Sequence, residues 1–137
     1  MTPLLILTHG EFGPVLLRAA EAMFGPQSQA QALALGPDET REDFQARVHA
    51  ARQSLAGGPL VLVDLACGTP WNVAVLDGCA MDGEVLAGLS LPMLLEALEL
   101  RSGMDARALA GELVGRAPQS LTRATVLMAG GARGACE

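Results

Sequence analysis

Two side chains that could share a proton follow separate apolar runs of this sequence. His9 follows residues 4–7, and Asp64 follows residues 60–63. A carboxylate that accepts the N–H of one imidazole nitrogen fixes the tautomer and leaves the other nitrogen with a free lone pair. An imidazole in that state is a nucleophile. The pair therefore predicts phosphoryl transfer on His9, with Asp64 orienting the ring.

A loop that could hold an anion lies shortly after Asp64. The segment Cys67-Gly68-Thr69-Pro70 precedes a helical pattern, and the first amides of a helix lack backbone partners and carry the positive end of the helix dipole. A transferring phosphoryl group spreads its charge over its equatorial oxygens, so such amides and a hydroxyl could stabilise it without a metal. We therefore expect Gly68 and Thr69 to bind the phosphoryl group, and no cofactor is implied.

Short apolar runs alternate with helical patterns along the chain, which is typical of parallel strands joined by crossover helices. The predicted strands are residues 4–7, 32–35, 60–63 and 85–89, with a candidate fifth strand at 124–128. The first predicted helix begins at Gly13-Pro14, and the second follows the capping candidates Asp38 and Thr40. A third is predicted at 71–80 with Thr69 as its cap, a fourth begins at Pro92, and a further one precedes Pro118. The continuous apolar run at 60–63 is typical of a central strand buried on both faces.

These patterns predict one doubly wound α/β domain over residues 1–129, with helices on both faces of a mainly parallel sheet. The Gly/Ala-rich residues 130–137 are expected to form a flexible tail. In the strand order 2-1-3-4, the first and third strands are neighbours at the point where the winding reverses, and ligands bind there, outside the carboxyl ends of the strands. His9 and Asp64 should then meet.

The composition excludes several classes of function. Nine arginines and no lysine oppose 15 acidic residues, and the net charge of -6 disfavours nucleic-acid binding. No apolar stretch approaches the roughly 18 residues of a membrane helix, and no leader peptide or disulfide framework is visible, so we expect a cytoplasmic protein. No Cys-x-x-Cys or His-x-x-x-His spacing predicts a metal site. Isolated basic residues are interpreted as solvated surface charges: Arg18, Arg41, Arg47, Arg52 and Arg101.

Several segments of the chain resemble, in the right order, the mannose-family IIA component of the bacterial phosphoenolpyruvate-dependent sugar phosphotransferase system. Thr8-His9-Gly10 is similar to the family's phosphorylation-site segment. Asp64 followed by Gly68-Thr69-Pro70-Trp71-Asn72 resembles Asp-x-x-Gly-Gly-Ser-Pro-Phe-Asn, and residues 88–96 resemble Gly-Val-Asn-x-Pro-Met-Leu-x-Glu. The C-terminal third of the chain matches poorly.

The resemblance implies a phosphotransferase that forms a phosphohistidine. The general phosphocarrier HPr would donate to the nitrogen of His9 remote from the backbone, and a IIB domain or protein would receive the group. The resemblance also implies a homodimer with a five-stranded sheet, whose antiparallel last strand the partner subunit could supply. Contact with a membrane would be only indirect, through a permease complex.

The chain departs from the family pattern around the loop before the third helix. Ala66-Cys67 stands where the family commonly carries Trp-Gly, which alters the surface that a partner meets. Thr69 replaces a serine and keeps the hydroxyl, and Trp71 replaces a phenylalanine and keeps an aromatic ring, so we expect the chemistry to survive. Cys67 is interpreted as a passive small residue and not as a redox sensor. Sugar specificity and the choice between transport and regulation stay open.

Two other functions remain as alternatives. Small tetrapyrrole metal chelatases also place a His-Gly after an N-terminal strand, but they need further metal-directing residues, and the only other histidine, His49, is expected on a helix surface. A non-enzymatic flavin or nucleotide module would need aromatic platforms or a Gly-x-Gly-x-x-Gly turn after the first strand. Neither feature is present in the sequence.

Overall fold

A parallel sheet of four strands forms the centre of the protein. The computed structural model describes residues 1–129, and the tail anticipated at 130–137 lies outside the described residues. The strands are β1 (Leu4–His9), β2 (Ala30–Leu35), β3 (Leu60–Val63) and β4 (Glu84–Ala87). They pair in the order β2-β1-β3-β4, and every pairing is parallel. The predicted strand order 2-1-3-4 is confirmed.

Helices connect the strands and continue the chain after β4. They are α1 (Phe12–Phe24), α2 (Arg41–Ser54), α3 (Thr69–Leu76), α4 (Cys79–Asp82), α5 (Leu91–Leu100), α6 (Ala106–Arg116), a 3-10 turn (Ala117–Ser120) and α7 (Ala124–Ala129). Thr40 caps α2, since its hydroxyl accepts the N–H of Asp43 at 3.1 Å. The helix predicted at 71–80 is divided, because Gly78 takes a left-handed conformation with φ of 82° between α3 and α4.

Helices cover both faces of the sheet, as predicted. The central strands β1 and β3 are fully buried, apart from the exposed His9 at the end of β1. Alternate residues of β1 point to opposite faces, so Leu4 and Ile6 join a core made with α1, α5 and α6, whereas Leu5 and Leu7 join one made with α2 and α3. Within residues 1–129, no helix combines the length and the apolar character that a membrane crossing requires.

The candidate fifth strand at 124–128 is wrong, because these residues lie in helix α7. The run Ala-Thr-Val-Leu-Met is too short for its periodicity to separate strand from helix, and alanine, leucine and methionine favour a helix. The backbone bonds locally, with the N–H groups of Val126 and Leu127 both donating to the carbonyl of Arg123. α7 buries none of its residues, so no core contact draws this segment into the sheet.

Arg101 is not the solvated surface charge that was expected. Its side chain is only 2% exposed, and its guanidinium donates to the carbonyls of Ser28 and Gln29 and to the side chain of Gln27. Burial lowers the pKa of the guanidinium. Arg101 therefore ties the end of α5 to the loop that leads into β2.

Candidate functional site

The pairing of β1 with β3 brings His9 and Asp64 together at the carboxyl end of the sheet. Leu7 of β1 lies opposite Val63 of β3, so the residues that follow them leave the sheet side by side. Nδ1 of His9 lies 2.9 Å from Oδ2 of Asp64. The backbone N–H of His9 donates to the same oxygen, also at 2.9 Å. The contact expected from the sequence is therefore present.

The Asp64 carboxylate is held in one orientation by hydrogen bonds to both oxygens. Oδ2 accepts from the backbone and the ring of His9, and Oδ1 accepts the backbone N–H of Leu65 at 3.0 Å. The side chain of Asp64 is 18% exposed, whereas that of His9 is 45% exposed. An ionised carboxylate can only accept a hydrogen bond, so this contact assigns the proton to Nδ1 of His9 and leaves Nε2 with the free lone pair of the neutral ring.

Gly68 packs directly against the edge of the imidazole ring. A Cβ atom at this position would lie 2.8 Å from Cε1 and 3.3 Å from Nε2 of His9. A side chain there would press on the ring and would cover the free nitrogen. The preceding residue, Cys67, adopts a positive φ of 66°, which turns the chain back so that Gly68 can make this approach.

The N-terminus of α3 begins beside the ring. Gly68 is the N-cap of α3, and the helix itself begins at Thr69, whose side chain makes no capping bond. Thr69 is therefore not the cap that was predicted, because the helix begins at Thr69 itself, two residues before the predicted start at 71. Among residues 1–129, the structure gives the amide groups of Thr69 and Trp71 no acceptor, so these donors are available to an anion.

A shallow groove runs from the other side of His9 towards β2. It has a volume of ≈ 290 Å³ and is lined by His9, Gly10, Leu35, Gly36 and Pro37. No residue of α3 lines this groove.

Other residues singled out in the sequence lie away from this contact or play no part in it. Cys67 is exposed, and Cys79 is buried, which raises the pKa of its thiol to about 11. His49 lies on the surface of α2, where its Nδ1 is 2.9 Å from Oδ1 of Asp77. Over the part of the chain that the structure describes, no group of three or more His, Cys, Asp or Glu side chains could hold a metal ion.

Sequence reasoning assigned no role to Asn72 or to the backbone of Leu65. The side-chain amide of Asn72 donates to the carbonyl of Cys67 at 3.3 Å, which helps to hold the left-handed turn. The N–H of Leu65 holds Asp64. The contact of Asn72 could have been predicted from its position in the first turn of α3, because an asparagine there can bond back to the preceding loop. The contact of Leu65 could not, because it is made by the backbone and does not depend on the type of side chain.

Comparisons with known proteins converge on one family. The family model EIIA-man, described as PTS system fructose IIA component, matches residues 3–114. The fructose-specific EIIA component of the PTS system of Bacillus subtilis is 30% identical over 125 residues, covering 88% of this chain and 84% of that protein.

Two further proteins extend this result. The mannose-specific EIIAB component of Escherichia coli is 35% identical over 103 residues, which cover 72% of this chain and 31% of that longer protein. The crystal structure of phosphotransferase system component EIIA from Streptococcus agalactiae superposes with a TM-score of 0.83 at 25% identity, covering 92% of this chain and 99% of that one. The sequence comparisons and the structural comparison therefore identify the same family.

Proposed function

Because the chain belongs to the EIIA-man family of sugar phosphotransferase system components, we propose that it is a phosphocarrier that accepts a phosphoryl group from HPr on Nε2 of His9 and passes it to a IIB component. The observation that carries the proposal is the 2.9 Å contact between Nδ1 of His9 and Oδ2 of Asp64, with Nε2 left beside Gly68. Family membership does not favour the chelatase or the flavin-binding alternative.

The transfer step follows from the protonation state of the ring. The lone pair of Nε2 attacks phosphorus, a new N–P bond forms, and the N–P bond to the donor histidine of HPr breaks. No proton has to leave Nε2, because the attacking nitrogen carries none. The ring becomes positively charged as the bond forms, and Asp64 stabilises that charge through the Nδ1–H. Transfer to a IIB component is the same displacement with the phosphoryl group leaving.

The phosphoryl oxygens would be held by the start of α3. The amides of Thr69 and Trp71 and the hydroxyl of Thr69 are the donors available there, and the dipole of this eight-residue helix favours an anion at its N-terminus. Fixed donors of this kind stabilise the charge on a transferring phosphoryl group without reorganisation.

The test is phosphorylation with phosphoenolpyruvate, enzyme I and HPr. The wild type is expected to gain an acid-labile, alkali-stable phosphoryl group, and His9→Ala is expected to gain none. His49→Ala is a matched control, because His49 is also exposed and also contacts an aspartate at 2.9 Å. Undiminished labelling of His9→Ala, or loss of labelling only in His49→Ala, would refute the site assignment.

The remaining proposals concern assembly and location. We propose a homodimer. It is supported by the apolar groove of ≈ 330 Å³ beside β4. It is also supported by exposed apolar side chains that come after the groove residue Pro118 in the chain, including Leu121, which is 92% exposed, and Val126, which is 58% exposed. A monomeric mass at micromolar concentration in sedimentation equilibrium would contradict this. We also propose a cytoplasmic protein that contacts membranes only through a permease complex.

A further inference from the structure

We propose that Thr8 is a positioning residue that sets the direction of the His9 side chain. Thr8 is completely buried and precedes the ring that carries the proposed chemistry. Its hydroxyl accepts the backbone N–H of Gly13 at 2.7 Å and donates to the carbonyl of Gly10 at 3.0 Å. The consequence for transfer rate rests on the proposed phosphoryl acceptance by His9, whereas the consequence for ring geometry does not.

Helix α1 depends on this hydroxyl because it has no cap of its own. Glu11 occupies the N-cap position and makes no side-chain bond to the helix. Gly13, the second residue of α1, instead donates to Thr8, five residues earlier in the chain. A bond that belongs to a helix cap is thus made from inside strand β1, and it couples the start of α1 to the strand that carries His9.

The same hydroxyl closes the turn on the other side of His9. Gly10 has a left-handed φ of 61°, its carbonyl accepts from Thr8, and its N–H donates to the carbonyl of Leu35 on β2 at 2.9 Å. The backbone on both sides of His9 is therefore held, and the N–H of His9 is directed to Oδ2 of Asp64. From this backbone position the ring Nδ1 reaches the same oxygen at 2.9 Å.

Gly13 shows how closely the helix approaches Thr8. A Cβ atom at position 13 would lie 2.8 Å from Oγ1 of Thr8 and 3.0 Å from Cγ2 of Ile6. A larger residue at position 13 would therefore displace the buried hydroxyl. Loss of the hydroxyl would leave the N–H of Gly13 and the carbonyl of Gly10 without these hydrogen bonds, so it is expected to loosen the turn.

Thr8→Val tests the inference, because it keeps the shape and removes the hydroxyl. We expect about a tenfold fall in the rate of phosphoryl transfer from HPr, since small misplacements of a reacting group cost this much or more. Nitrogen NMR of the His9 ring is expected to change from one Nδ1-protonated tautomer to a mixture. Thr8→Ser, which restores the hydroxyl, is expected to return both readouts to within about twofold of the wild type.

Thr40→Val is the matched control. It removes another threonine hydroxyl that caps a helix, at α2, so it should lower stability while leaving the rate and the His9 tautomer unchanged. If Thr8→Val does not fold, Gly13→Ala displaces the same hydroxyl and should produce the same mixture of tautomers.

Three results would overturn the inference. The first is a wild-type tautomer and rate in Thr8→Val. The second is a failure of Thr8→Ser to rescue, and the third is an equal effect of Thr40→Val on the ring. If the wild type itself accepted no phosphoryl group, the proposed function would fail, while the NMR result would still decide the role of Thr8.

Discussion

Gly68→Ala is expected to lower the rate of phosphoryl transfer by more than it lowers the stability of the fold. The backbone at Gly68 has φ of -80° and ψ of 177°, which alanine adopts without strain. Replacing glycine by alanine at such a position stabilises a protein by about 0.4–1 kcal/mol, because the unfolded chain loses freedom. The backbone should therefore tolerate the change, and this gain offsets part of the stability that is lost at the ring of His9.

The imidazole ring of His9 has to move instead. The new Cβ would lie 2.8 Å from Cε1, whereas ordinary van der Waals contact begins at 3.4 Å, so the ring must recede by about 0.6 Å. His9 is 45% exposed and can rotate outwards, which lengthens its 2.9 Å contact with Asp64. Loss of a charge-assisted hydrogen bond of about 1.5–3 kcal/mol corresponds to a rate about 10- to 150-fold lower.

Single-turnover transfer from radiolabelled phospho-HPr measures the rate, and urea unfolding measures the stability. Gly111→Ala is the control, because position 111 lies in α6 with no atom within 4 Å of an added Cβ. This control should gain stability and keep the wild-type rate. Gly68→Ala with a wild-type rate would refute the argument that Gly68 sets the position of the ring.

Three further predictions follow from single contacts. Asp64→Asn should slow phosphoryl transfer to His9 by about 10²-fold or more in the same single-turnover assay, since an amide cannot balance the charge of the phosphorylated ring; a rate within threefold of the wild type would contradict this. Arg101→Met should lower the free energy of unfolding by about 2–4 kcal/mol in urea, because it leaves buried carbonyls of the loop before β2 without donors; an unchanged midpoint would count against it. Burial raises the pKa of Cys79 from 9.0 to about 11, so the contribution of this thiol to stability is complete below pH 9 and should fall by about 3 kcal/mol as pH rises from 9 through 11, because the unfolded chain loses the proton first. Cys79→Ala should remove that fall, and an identical pH profile in the two proteins would show that the thiol is not its source.

The parts of the site that the sequence predicted depend on strand order. The continuous apolar run at 60–63 indicated a central strand, and His9 and Asp64 each follow a strand end. Once β1 and β3 are neighbours, the two side chains leave the same edge of the sheet. Their 2.9 Å contact could therefore be anticipated without coordinates. The cap at Thr40 could also be predicted from the sequence, because a capping residue bonds to the first turn of its own helix.

Other features depend on how the backbone packs, and local patterns did not reveal them. The left-handed conformations of Cys67 and Gly78 moved the start of α3 to Thr69 and ended it at Leu76. The apolar run at 124–128 forms a helix. So short a run can form either a strand or a helix, and the elements that pack beside it decide between the two. Arg101 resembled any surface cation in the sequence, yet the loop at Gln27 to Gln29 folds over it.

The sequence by itself determined which residues we propose for the chemistry and which strands hold them, because residue type and hydrophobic period are local properties of the chain. Only the tertiary structure decided that Gly68 touches the ring of His9 and that the hydroxyl of Thr8 joins β1 to α1. Those contacts join elements with different directions, and their distances depend on the packing of all the helices on the sheet. The pattern of residues specifies the helices and strands, whereas their close packing specifies the exact distances between side chains of different elements.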